Sequence, residues 1–241
     1  MQVVTNEQFV TNRARIGKIG TLVGLLALLA GFFTSLNIEL IALSYGLLIL
    51  GLLGFNIGRY NTIRFGSRPR QHEILANSLK GLDQKYILLN YVKGVPASHL
   101  LLSPLGIFLI ETRVHDGEIN CEGDRCHRKR SFSTLIRGFV EGGLGSPSKD
   151  VRRGVEGVKA FLAEKLGAEM AEAVPVEGIV VFTNPLAQLK TVNPTVTVLT
   201  PKDLKAHIRS PQGRTKMLGE AYRKLCEVFE VDRARGQKKD K

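Results

Sequence analysis

Two stretches without a single charge constrain this chain more than anything else in it: Ile19 through Ile38, 20 residues, and after Glu39 Leu40 through Gly58, another 19. A bilayer's hydrocarbon core of about 30 Å is crossed by roughly 17–25 apolar residues rising about 1.5 Å each, so either stretch matches one crossing. One helix through both would be about twice too long. The spacing predicts two membrane-spanning helices, over about 16–36 and 40–58, with Asn37 and Glu39 at a reversal. Arg13, Arg15 and Lys18 precede the first stretch, Arg59, Arg64, Arg68 and Arg70 follow the second, and the connector has neither Lys nor Arg. That bias puts both ends in the cytoplasm. The expectation is an integral protein of the inner (plasma) membrane, with the lipid bilayer as its first partner and its soluble part cytoplasmic.

A cleaved signal peptide would share the basic flank, but the apolar stretch is long, has no convincing small-x-small cleavage site and is followed at once by a second span. A buried core hairpin would need a larger protein around it than the rest of this chain supplies. Neither stretch holds an ionisable residue, which favours anchoring over an ion pathway. Gly20-x-x-x-Gly24 and Gly54-x-x-x-Gly58 offer close approach between helices, within the hairpin or between copies.

Residues 61–241 carry 30 basic against 20 acidic residues, nearly all of the chain's excess of positive charge. Such a domain suits nucleic acid and an anionic lipid surface equally. Periodicity predicts a helix over Gln71–Leu82, short strands over Tyr86–Val92, His99–Ser103, Gly106–Val114 and Glu118–Cys121, and a helix opened by Ser146-Pro147-Ser148 and closed by Gly167. Strands at Val176–Thr183 and Thr195–Leu199 and helices at Lys202–Ile208 and Thr215–Val228 complete it. This is an α/β chain: a transmembrane helical hairpin in residues 1–60, a mixed central sheet flanked by helices in 61–210, and a C-terminal helix with a basic tail in 211–241. Phe132–Ser148, with four glycines, reads as a mobile loop, and Arg233–Lys241 as a disordered tail.

The densest chemistry lies in Ala97-Ser98-His99-Leu-Leu-Leu-Ser-Pro-Leu-Gly106-Ile-Phe-Leu-Ile-Glu111-Thr112-Arg113, two apolar strands joined at Pro104-Leu105. If Ser103 and Gly106 flank a two-residue loop, Ser98 lies across from Glu111; a glycine bulge would shift this by one residue. Glu111 and Arg113 share a face because strand side chains alternate.

This hairpin, with a helix carrying Glu73, the following Gly117-Glu118-Ile119, the Ser146-Pro147 helix start and Gly178-Ile-Val-Val-Phe-Thr183, resembles the NERD (nuclease-related domain) family over most of residues 71–209. The resemblance implies a restriction-endonuclease-like fold and metal-dependent phosphodiester cleavage. An aspartate and the glutamate of a Glu-x-Lys would hold Mg²⁺, the lysine would help activate water, and a first-helix glutamate would sometimes assist. Here Ser98 stands at the aspartate position and Arg113 at the lysine position, while Ser146 and Asp150 replace the asparagine and glutamine of the family's Asn-Pro-x-x-Gln helix start. A hydroxyl supplies no negative charge, and arginine does not readily lose a proton. The resulting expectation is a degraded nuclease site of Glu73, Glu111 and Arg113 that keeps phosphate or nucleic-acid binding. The alternatives are an active nuclease rebuilt on Glu73, Glu111 and Asp150, with Glu111 as metal ligand and Mg²⁺ as cofactor, or a non-enzymatic membrane-bound interaction module.

Cys121-x-x-x-x-Cys126-His127 offers three zinc ligands where four are usual, and Glu122-Gly123-Asp124 reads better as a hairpin turn joining paired strands, with the cysteines reduced. Arg125, Arg128, Lys129 and Arg130 form a basic cluster, extended by Arg137 and by Arg152 and Arg153 at a helix start. It is a candidate surface for nucleic acid or anionic lipid. Gly138–Gly145 lacks the Gly-Lys-Ser/Thr ending of a phosphate loop, and no nucleotide or flavin cofactor is indicated.

Overall fold

The computed structural model describes residues 1–129, 143–210, 214, 216, 217 and 219–229. They divide into two compact units.

One unit, Glu7–Gln71 in the main, is a helical hairpin. Helix α1 spans Glu7–Thr34 and α2 spans Ile41–Asn61. Between them a 3₁₀ turn, Ile38–Leu40, is capped by Asn37, whose Oδ1 accepts from the Glu39 amide at 3.1 Å. The reversal falls where those two polar residues interrupt the apolar pattern. A π-helical turn, Thr62–Gly66, follows α2. Both helices are long and apolar enough to cross a membrane. Among the described residues, every exposed large hydrophobic side chain other than Leu186 and Val192 lies between Ile16 and Tyr60. What these helices bury against each other is small: Gly17, Gly24 and Gly31 on α1, and Ser44, Gly51 and Gly58 on α2, each spaced by seven. A Cβ at Gly24 would lie 2.3 Å from the Phe55 amide nitrogen, and one at Gly58 2.1 Å from that of Thr21. Ser44 Oγ donates to the Gly31 carbonyl at 2.7 Å. Gly20 and Gly54 border the same contact, so the two Gly-x-x-x-Gly pairs serve packing within the hairpin.

The other unit joins Met1–Asn6 to most of the described chain from His72 onward. A strand that the sequence reading does not anticipate, β1 (Gln2–Thr5), precedes the hairpin and pairs in parallel with β2 (Ile87–Asn90), which follows it. Asn6 N donates to Asn90 O at 3.1 Å, and Asn90 Nδ2 donates to Thr5 Oγ1 at 3.0 Å. Four residues with two apolar side chains give no periodicity to read, and pairing alone makes them a strand.

The remaining strands are β3 (His99–Ser103), β4 (Gly106–Arg113), β5 (Gly117–Glu122), β6 (Arg125–Arg128), β7 (Val176–Phe182), β8 (Ala187–Val192) and β9 (Thr197–Leu199). The helices are α3 (Gln71–Ser78), α4 (Pro147–Leu166), α5 (Ala168–Glu172), α6 (Pro201–Arg209) and α7 (Gly219–Val228). The main sheet is mixed, in the order β1-β2-β3-β4-β7-β9, and a smaller one runs β6-β5-β8. Strand β8 also escapes sequence reading, because none of its side chains is buried. Helix α3 ends at Ser78, before the expected Leu82. Most of the expected loop, residues 132–142, and the tail from Arg233 lie outside the described residues.

Alternation along β3, β4 and β7 gives the sheet two apolar faces. Leu100, Leu102, Ile107, Leu109, Val180 and Phe182 face Val151, Val158 and Leu162 of α4. Leu101, Phe108, Ile110, Ile179 and Val181 face Leu75 and Leu79 of α3 and Leu204 and Ile208 of α6. The result is a three-layer α/β arrangement. Helix α4 lies so close that a Cβ at Gly178 on β7 would fall 2.1 Å from Val151 Cγ1. Its start is set by Ser146 as cap residue and Pro147 in the first turn, a position that tolerates the missing amide, and its end by Gly167 at φ 84°.

Candidate functional site

Strands β4 and β7 run in parallel, with Glu111 beside Val180 and Arg113 beside Phe182, so both reach the same edge of the sheet at their carboxyl ends. That edge is where open α/β sheets present ligands. The Arg113 carbonyl accepts from both Thr183 N (2.8 Å) and Thr183 Oγ1 (3.1 Å), and Asn184 Nδ2 donates to the Val114 carbonyl at 3.0 Å. These two polar residues pin the end of β4 and were not singled out from sequence. Their signal is that the buried run of β7 ends in Thr-Asn.

The β3–β4 register pairs Leu100 with Leu109 and Ser103 with Gly106, the two-residue loop expected from Pro104-Leu105. Continued beyond Leu100, it sets Ser98 opposite Glu111. On its other side Ser98 is held through its carbonyl, which accepts from Tyr91 N at 2.8 Å.

Three of the candidate side chains meet. The Arg113 guanidinium donates through one nitrogen to Glu111 Oε1 and to the Thr112 carbonyl, and through the other to Asp150 Oδ2 at 2.5 Å. Asp150 comes from the first turn of α4, which the Gly178 contact presses onto the sheet. The Arg113 side chain is 12% exposed, Glu111 19% and Asp150 39%, so the bridge is inset and opens on the Asp150 side. Glu73 lies in the first turn of α3, and Ser98 immediately precedes β3.

The donor set does not fit a magnesium ion. Mg²⁺ requires near-octahedral oxygen coordination at about 2.0–2.1 Å. Here a guanidinium lies between the Glu111 and Asp150 carboxylates, and no group of three His, Cys, Asp or Glu among the described residues could hold a metal. The positive charge that would join Glu111 to Asp150 is already part of the chain.

Among the described residues, three members of the basic cluster are engaged in ion pairs. Arg128 pairs with Asp116, both nearly buried. Lys129 (3.1 Å) and Lys190 (2.5 Å) converge on Glu118, and Arg152 pairs with Asp124, which also accepts from the Thr195 hydroxyl. Hydrogen bonds from Lys190, then Lys129, hold the Glu118 carboxyl below the usual range. The Arg152 hydrogen bond, then that of Thr195, does the same for Asp124, and Asp124 in turn raises Arg152. Arg125 on β6 and Arg153 on α4 are exposed and make no ion pair among the described residues. Arg130 and Arg137 lie outside them.

Cys121 and Cys126 face each other on β5 and β6, as the turn at Glu122-Gly123-Asp124 predicts, but they are joined in a disulfide rather than reduced. Their sulfurs are thereby committed to each other.

Fold and site together define a three-layer α/β domain with an acid–guanidinium–acid bridge at the carboxyl ends of two parallel strands, carried on a chain with an apolar helical hairpin. Residues 70–183 match the model of the NERD family, the nuclease-related domain. That match spans α3 to the end of β7 and contains Glu111, Arg113 and Asp150. No curated protein and no solved structure matches the chain.

Proposed function

We propose that this chain is a membrane-anchored, nuclease-related protein whose domain contacts phosphate without cleaving it efficiently. The observation that carries this reading is the Arg113 bridge: the carboxylates available for a metal are both engaged by a guanidinium. Arginine in this place neither deprotonates to activate water nor leaves Glu111 and Asp150 open to Mg²⁺. Exposed Arg125 and Arg153, near the start of α4, supply cations for a phosphate backbone.

The anchor is the hairpin. Strands β1 and β2 are hydrogen-bonded neighbours in one sheet, yet β1 precedes both apolar helices and β2 follows them. A hairpin spanning a bilayer between them has both ends on one side, and the basic flanks assign that side to the cytoplasm. This orientation would place the domain at the inner face of the plasma membrane.

A second reading, a docking module that touches no nucleic acid, draws support from the ion pairs that neutralise Arg128, Lys129 and Arg152. Full-length protein in detergent, titrated with duplex DNA, structured RNA and anionic vesicles over a salt series, separates the two. The phosphate-contact reading expects nucleic-acid binding that weakens with salt and weakens further in Arg125→Glu/Arg153→Glu. Folded protein that binds no nucleic acid at physiological salt contradicts it and leaves the docking module.

A further inference from the structure

We propose that Cys121 and Cys126 form a reversible thiol–disulfide site whose state is transmitted to the start of α4. Gly123 (φ 52°) and Asp124 make a two-residue turn, with Glu122 paired to Arg125 and Cys121 to Cys126. The second pair from such a turn is a close, non-hydrogen-bonded one, and the cysteine Cα atoms are 4.1 Å apart. The two sulfurs are therefore within bonding reach whenever the ribbon is formed. Among the described residues β6 pairs only with β5, so the ribbon can open locally without dismantling the sheet.

The turn is also the link to α4. Asp124 accepts from Arg152, two residues beyond Asp150, and Thr195 holds the turn through the Gly123 carbonyl and the Asp124 carboxylate. With the bond formed, these acceptors are fixed. With it broken, the ribbon keeps four residue pairs and one bordering strand, and short ribbons of this kind are marginal in water. Arg152 then loses a fixed partner, and the first turns of α4, which bring Asp150 to Arg113, loosen.

The oxidant class is a low-molecular-weight disulfide. One cysteine thiolate attacks it, releasing one small thiol and leaving a mixed disulfide; the second thiolate attacks the protein-bound sulfur, forming Cys121–Cys126 and releasing the other small thiol. Two electrons pass to the reagent, and the two cysteine protons end on the released thiols. A dithiol reverses each step.

The inference stands apart from the nuclease-related and membrane readings, because its test uses only the purified full-length chain. Protein poised in glutathione buffers of graded ratio is quenched, its thiols are counted by mass tagging, and amide exchange is followed over residues 146–154. The expected result is a two-thiol transition, with exchange over 146–154 about tenfold or more faster in the reduced form. Cys121→Ser/Cys126→Ser should show the fast pattern at every ratio, and Cys226→Ser should switch like the parent. A bond that no ratio reduces in the folded protein, a pair that no ratio oxidises, or exchange over 146–154 that ignores the redox state overturns the proposal.

Discussion

Arg113 stands where the nuclease-related resemblance expects lysine, and the structure gives the exchange a physical role. A lysine ammonium is a point charge on a flexible stem, whereas the planar fork of arginine reaches Glu111 and Asp150 with separate nitrogens. Removing it leaves the inset Glu111 and the half-exposed Asp150 uncompensated, so Arg113→Gln should lower stability by about 1–3 kcal/mol, read by denaturant titration of the detergent-solubilised protein. An unchanged midpoint would mean that the bridge does not hold in solution. Hydrogen bonding to Arg152 lowers the Asp124 carboxyl in the folded chain. Its contribution is therefore complete above the unfolded value, about 3.9, and is lost only as pH falls through the lower folded one. Exchange over the start of α4 should stay flat from neutral pH to about 5, once corrected for intrinsic rates; a rise within that range would contradict the pairing. At this scale the sequence did not show how the candidate side chains pair. Glu111 and Arg113 share a face by alternation, whereas Asp150 enters through a crossover whose closeness no local pattern encodes.

The elements were legible where a period or a cap is strong. Strand β4 and helix α4 lie within a residue of their expected limits because one is a continuous apolar run and the other is bracketed by Ser146-Pro147 and Gly167. Strands β1 and β8 were not, since one is four residues long and the other lies mostly in solvent. Two glycine contacts carry element-scale predictions. Gly178→Ala would set a methyl group against Val151, pushing α4 off β7 and Asp150 away from Arg113, at about 1–3 kcal/mol of lost stability. Val151→Ala should recover part of that loss, and no recovery would show that the contact is not the cause. On the hairpin, Gly58→Leu would drive a side chain into the α1 backbone at Thr21. Cysteines placed at positions facing each other across α1 and α2 should then crosslink less, while Gly46→Leu, which meets nothing within 4 Å, should leave crosslinking intact.

For the whole molecule, the sequence announced an apolar hairpin and a mixed sheet flanked by helices, but not that a strand ahead of the hairpin is built into the sheet that follows it. That pairing requires both ends of the hairpin to lie on the same side of any membrane it crosses. Reporters at the N-terminus and after Lys241 should be accessible from the same side of sealed vesicles, with a reporter at Asn37 accessible from the other; reporters at the two termini on opposite sides would break the β1–β2 pairing. The account as a whole turns on which cation Glu111 and Asp150 serve, and incubation of the full-length protein with Mg²⁺ or Mn²⁺ and a panel of DNA and RNA forms tests this most directly. It predicts intact nucleic acid, with wild type indistinguishable from Glu111→Ala. Metal-dependent cleavage that Glu111→Ala abolishes would contradict it, and would mean that the guanidinium gives way to a metal.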